Sequence, residues 1–159
     1  MIGRRLLLAQ GAAGFATAAR GASPGGDGLL REPWFLDGFL ELPEDLAEAV
    51  ASGRCLAVLW ELPGCSFCTR MHRETFADPE VAAFMRAHVS VVQLDIAGAR
   101  EVMFTDGVRL PEKAQSKRMK IVGTPTLQVF GPDGSERGRL EGFVPPGPFL
   151  GFFRGHGRA

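Results

Sequence analysis

The chain has 159 residues, enough for one domain with a hydrophobic core and short for two. Eighteen basic residues balance eighteen acidic ones and no dense Lys/Arg cluster stands out, which excludes a nucleic-acid-binding reading. The three cysteines, Cys55, Cys65 and Cys68, are odd in number and spaced unlike a disulfide framework, so the fold must rest on its hydrophobic core.

Residues 1–18 are expected to be a signal peptide. Met1 to Arg5 is basic, Leu6 to Ala19 is mostly apolar or small, and Ala16-Thr17-Ala18 offers small residues for cleavage. Arg4-Arg5 followed by Leu6-Leu7-Leu8 resembles a twin-arginine signal. A membrane anchor or a disordered tail is the alternative, but the apolar region falls short of the roughly 20 residues that a span needs and is diluted by glycine. Residues 19–32, with Ser23-Pro24-Gly25-Gly26-Asp27-Gly28, are expected to be a flexible linker, and residues 33–155 the ordered domain.

Trp34-Phe35-Leu36 and Phe39-Leu40-Glu41-Leu42 fit either a first strand or a packed loop. Pro43-Glu44-Asp45 opens a helix, with Leu46, Ala49 and Val50 as its apolar stripe and Gly53 as its stop. Cys55 to Leu62 is an apolar run that predicts a buried central strand. Pro63-Gly64 then turns the chain into a helix from Cys65 to about Thr75. Thiols at positions i and i+3 of a first helical turn share a face close enough to join, and the free N–H groups of that turn favour a thiolate. A redox pair is the reading this pattern supports.

Asp78-Pro79-Glu80 predicts the next helix, capped by Asp78, with Val81, Phe84 and Met85 inward. Val89 to Ile96 completes a strand-helix-strand unit with a parallel sheet. Ala97 to Leu110 fits a loop or a small hairpin, and Pro111-Glu112-Lys113 opens a helix to about Lys120. Thr126 to Phe130 and Glu136 to Leu140, joined by Gly131-Pro132-Asp133-Gly134, read as an antiparallel hairpin. Phe149, Leu150, Phe152 and Phe153 predict a short last helix ending before Gly155.

The order of elements, the Cys65-Ser66-Phe67-Cys68 pair between strand and helix, and Gly123-Thr124-Pro125-Thr126 before a hairpin together resemble the thioredoxin family over about residues 44–153. Trp34-Phe35, Met71-His72 and the insertion after Asp95 look like the exported thioredoxin-related proteins of the SoxW type, associated with periplasmic sulfur oxidation. The resemblance implies an α/β thioredoxin fold, with a central mixed sheet and helices on both faces. It implies a thiol-disulfide oxidoreductase in which Cys65 is the nucleophile and Cys68 the resolving thiol, in keeping with Cys65 lying nearest the helix end and solvent. Gly123, Thr124 and Pro125 would form the family's cis-proline loop, which offers backbone groups to an extended substrate. Expected partners are a protein disulfide or dithiol and a membrane electron donor, with the chain itself a periplasmic monomer that needs no cofactor. Reduction of partner disulfides is the expected direction, with disulfide oxidation or isomerisation as the alternative.

In thioredoxins an acidic residue sits six before the first cysteine. Leu59 stands there in this chain, and Glu61, two residues later on the same strand face, is the candidate for proton transfer. His72 completes a Cys65, Cys68, His72 set that could suggest a metal-binding module, but no fourth ligand accompanies it and no metal is expected. His72 therefore reads as a surface or packing histidine, Arg70 and Arg73 as solvated charges, and Cys55, Trp60, Met71 and Met85 as core. Phe143, Phe149, Phe152 and Phe153 are expected to be covered by the last helix rather than left open to a partner.

Overall fold

The computed structural model describes residues 21–156, so the expected signal peptide lies outside the described residues. A first hairpin pairs β1 (Ser23–Pro24) with β2 (Leu30–Arg31). Then follow α1 (Leu42–Ala51), β3 (Cys55–Glu61), α2 (Ser66–Arg70) running on as a π-helical turn over Met71–Phe76, α3 (Pro79–His88) and β4 (Val89–Asp95). A second small hairpin, β5 (Glu101–Met103) with β6 (Arg109–Pro111), precedes α4 (Glu112–Arg118). The chain ends on β7 (Thr126–Phe130), β8 (Glu136–Glu141) and α5 (Pro146–His156).

The main sheet has the order β4-β3-β7-β8, with β3 and β4 parallel and the other two pairings antiparallel. Every residue of β3 is buried, and alternation along it divides the core in two. Cys55, Ala57 and Leu59 join Met71, Phe76, Val81, Met85, Phe149 and Phe153 on the face covered by the π turn, α3 and α5. Leu56, Val58 and Trp60 join Leu42, Leu46, Phe104 and Phe130 on the face covered by α1 and the β5–β6 hairpin. The mixed sheet with helices on both faces is the architecture read from the sequence.

Local signals act as expected at several boundaries. Asp78 caps α3, its carboxylate accepting from the amides of Glu80 at 2.9 Å and Val81 at 3.1 Å, with Pro79 at the first helical position. The helix bearing the cysteines has its expected extent, α-helical to Arg70 and then widening to a π turn that ends at Phe76. Two expectations need correction. The last helix spans 11 residues and passes Gly155 rather than ending short of it, because Phe149, Leu150 and Phe153 bury in the core and carry it on. The expected linker is, in its described part, the β1–β2 hairpin: Leu29 is buried, and Gly28 at its tip, with φ of +81°, lies against Pro63. Its glycines and serine hid one apolar anchor and one buried acid, Glu32.

Candidate active site: a dithiol pair over a buried acid-imidazole-acid cluster

Strand topology brings the site residues together. Because β3 and β7 are antiparallel, with Trp60 opposite Thr126, the end of β3 and the start of β7 lie side by side. The cysteine turn leaves from the first, and the Gly123-Thr124-Pro125 loop leads into the second. Gly64, with φ of +78°, makes the turn after Pro63 without the steric cost a side chain would bring.

Cys65 is the N-cap of α2 and forms a disulfide with Cys68, the Cα atoms 5.2 Å apart. Its Sγ accepts from the Cys68 amide at 3.1 Å and from the Thr124 hydroxyl at 3.2 Å. Cys65 is partly open to solvent, whereas Cys68 is 5% exposed. The two sulfurs therefore differ in access, with Cys65 the one an incoming thiol can reach. The Thr124-Pro125 bond is cis, and the loop is closed by Thr126 Oγ1 donating to the Gly123 carbonyl at 2.8 Å and by the Gly142 amide donating to the Pro125 carbonyl at 2.7 Å. Two apolar side chains flank the pair in the open, Phe67 at 56% exposure and Val122 at 88%.

Glu61 lies beneath the pair. Being an odd-numbered residue of β3, it shares a face with Leu59, and it is 1% exposed. Its Oε2 accepts from His72 Nε2 at 3.2 Å and from the Gln93 side-chain amide, while Oε1 is buried with no hydrogen-bond partner among the described residues. Glu61, Cys65, Cys68 and His72 border one small cavity.

Of the two expected alternatives, surface or packing, His72 takes the second: it is buried, because the widened turn directs it into the protein, where Nδ1 meets Glu32 Oε1 at 2.9 Å. Burial pulls its pKa down, but hydrogen bonds to Glu32 and Glu61 and their negative charges more than reverse this and raise it to about 9. With both ring nitrogens engaged by carboxylates, the ring has no free lone pair for a metal shared with the cysteines. Arg70 pairs with Glu74 at 2.7 Å and lies over the Phe143 ring at 3.9 Å, half exposed as a solvated charge should be. Cys55 is core: burial pushes its thiol up to about 11, and its Sγ lies 3.7 Å from the His88 carbonyl. Trp60, Met71 and Met85 are buried, as are Phe149 and Phe153, while Phe143 and Phe152 pack at the margin of the core.

Sequence reasoning missed Glu32 and Gln93. A polar residue inside the apolar run of β4 was a readable signal for Gln93. Nothing local marks Glu32, which meets His72 across 40 positions of chain.

Comparison with known proteins agrees with the fold. The profile of the thioredoxin-like domain family matches residues 42–155. Thiol:disulfide interchange protein DsbD 2 of Pseudomonas aeruginosa is 30% identical over 147 residues, covering 86% of this chain and 22% of that protein. The chain thus spans about a fifth of the length of the curated relatives it matches. A thioredoxin from Thermus thermophilus superposes with a TM-score of 0.57 at 28% identity, over 72% of this chain and 82% of that one. The reduced C-terminal domain of Neisseria meningitidis DsbD does so at 0.51 and 25% identity, over 72% and 90%.

Proposed function

The chain belongs to the thioredoxin-like family, and from that premise we propose that it is a periplasmic thiol-disulfide oxidoreductase that reduces disulfides of partner proteins through Cys65 and Cys68. The observation that carries the reading is the asymmetry of the pair: a reachable Cys65 bonded to a shielded Cys68, under the Thr124-Pro125 loop. In the dithiol form, Cys65 attacks a substrate disulfide as the thiolate. One substrate sulfur leaves, and Cys68 then attacks Cys65 to release the second. The Cys68 amide and the Thr124 hydroxyl, both directed at Cys65 Sγ, stabilise negative charge there. Gly123 and Thr124 offer backbone groups to an extended segment, and Phe67 and Val122 offer it apolar contact.

Export is supported by the basic start and apolar run of residues 1–18, and the reading places a membrane electron donor upstream of the oxidised pair. The names of the relatives, thiol:disulfide interchange proteins, support the reaction class. The chain acts as a monomer without cofactor in this reading. Equilibration with glutathione and dithiothreitol buffers, with Cys65 and Cys68 scored by alkylation, is expected to give a reversible two-electron transition. A Cys68→Ser variant is expected to hold partners as mixed disulfides on Cys65. Absence of any reversible transition would sink the proposal.

A further inference from the structure

The cluster under the disulfide draws on four separate stretches of chain: Glu32 after β2, Glu61 at the end of β3, His72 on the π turn and Gln93 on β4. An imidazole that meets a carboxylate at each nitrogen donates from both only as the cation. Two carboxylates and one imidazolium leave a buried set with one net negative charge. Glu61 Oε1, buried and without a hydrogen-bond partner among the described residues, belongs to this set. The cavity shared by Glu61, His72, Cys65 and Cys68 has about 20 Å³, room for one water molecule and no more.

We propose that Glu32 and His72 are positioning residues for the redox step: they hold the Glu61 carboxylate toward Cys68 and balance its charge, so that the β1–β2 hairpin segment carries part of the redox site. The inference rests on the thiol-disulfide reading above. In the mixed disulfide between Cys65 and a substrate cysteine, Cys68 is a thiol. Its proton passes to Glu61 Oε1, directly or through one water in the cavity. The Cys68 thiolate attacks Cys65 Sγ, the Cys65–Cys68 bond forms, and the bond from Cys65 to the substrate sulfur breaks. The substrate sulfur leaves as a thiolate with the electron pair of the broken bond, and the proton on Glu61 passes to it or to solvent; over this step and the first attack together the cysteine pair loses two electrons to the substrate disulfide. Through this step His72 keeps the carboxylate oriented by holding Oε2, and Glu32 holds the far side of the ring. The charged groups facing His72 are Glu32 and Glu61. Cys68 from α2, which borders the same cavity, and the rings of Phe35 and Phe76 are its uncharged surroundings, while Gln93 from β4 donates to the Glu61 oxygen that His72 also meets.

The test uses an aromatic thiol joined to Cys65 as a mixed disulfide, whose release by Cys68 is followed by its colour across a range of pH. His72→Gln keeps hydrogen bonding but removes the cation beside Glu61, so the acid limb of the rate profile is expected to move to higher pH by about one unit, about tenfold at fixed pH on that limb. Glu32→Gln leaves the whole imidazolium charge to Glu61, and the acid limb is expected to move the opposite way. Profiles that superpose on the parent's, or shifts of the same sign in both variants, overturn the inference. Glu32→Gln alone decides it should His72→Gln not fold, since a superposing profile overturns the inference and a downward shift supports it. If the parent itself shows no Cys68-dependent release, it is the redox reading that falls.

Discussion

His72 links the stability of this protein to pH. A pKa of about 9 in the folded chain, against 6.5 for a free histidine, means that folding favours the proton. Its contribution is therefore fully present below about pH 6.5 and is lost as pH rises through about 9, and the shift corresponds to on the order of 3 kcal/mol. Urea midpoints are expected to hold steady near pH 6 and fall between about pH 7 and 9.5, with His72→Gln flattening that fall. Nothing in the local sequence foretold this, because a histidine four residues after Cys68 reads as a surface or packing residue with no sign of which acids it will meet. Burial between Glu32 and Glu61 is settled by residues far away in sequence. Glu61 is different, since the family resemblance singled it out by its place two residues after Leu59, and strand alternation put the two on one face.

Among the elements, those with strong end signals followed from sequence. Asp78-Pro79 illustrates this, and Asp78→Ala is expected to lower stability by about 1 kcal/mol, read as a reduced urea midpoint at unchanged slope. The end of β3 and the start of α2 were equally legible, because Pro63-Gly64 punctuates them. Two elements were not. The first hairpin has the composition of a linker, and only the fit of Leu29 and of Gly28 against Pro63 gives it a fixed place. The π turn over Met71–Phe76 carries no sequence mark, yet it puts His72 and Phe76 into the interior together and lets Thr75 Oγ1 donate to the Val144 carbonyl at 2.6 Å. Both features bear on the site, one by delivering Glu32 and the other by delivering His72.

For the described molecule as a whole, Phe76 joins the segment before α1 to α5. Its ring lies 5.6 Å from Trp34, 5.2 Å from His72 and 5.8 Å from Phe149, joining the N-terminal segment, the site and α5. Phe76→Ala is expected to cost about 3–5 kcal/mol, a large share of the roughly 5–15 kcal/mol that a domain of this kind commands. Denaturant unfolding measures the loss, and faster amide exchange in both residues 33–36 and α5 is the accompanying sign. The order of strands and helices, the cysteine pair at a strand-helix junction and the proline loop before the hairpin were set by the sequence alone, because apolar period, turn residues and caps act over a few positions. What surrounds His72, and that Glu32 meets it, were decided only in three dimensions. Each depends on contacts between segments tens of residues apart, and burial, which makes a carboxylate or an imidazole chemically particular, exists only once those segments have closed over it.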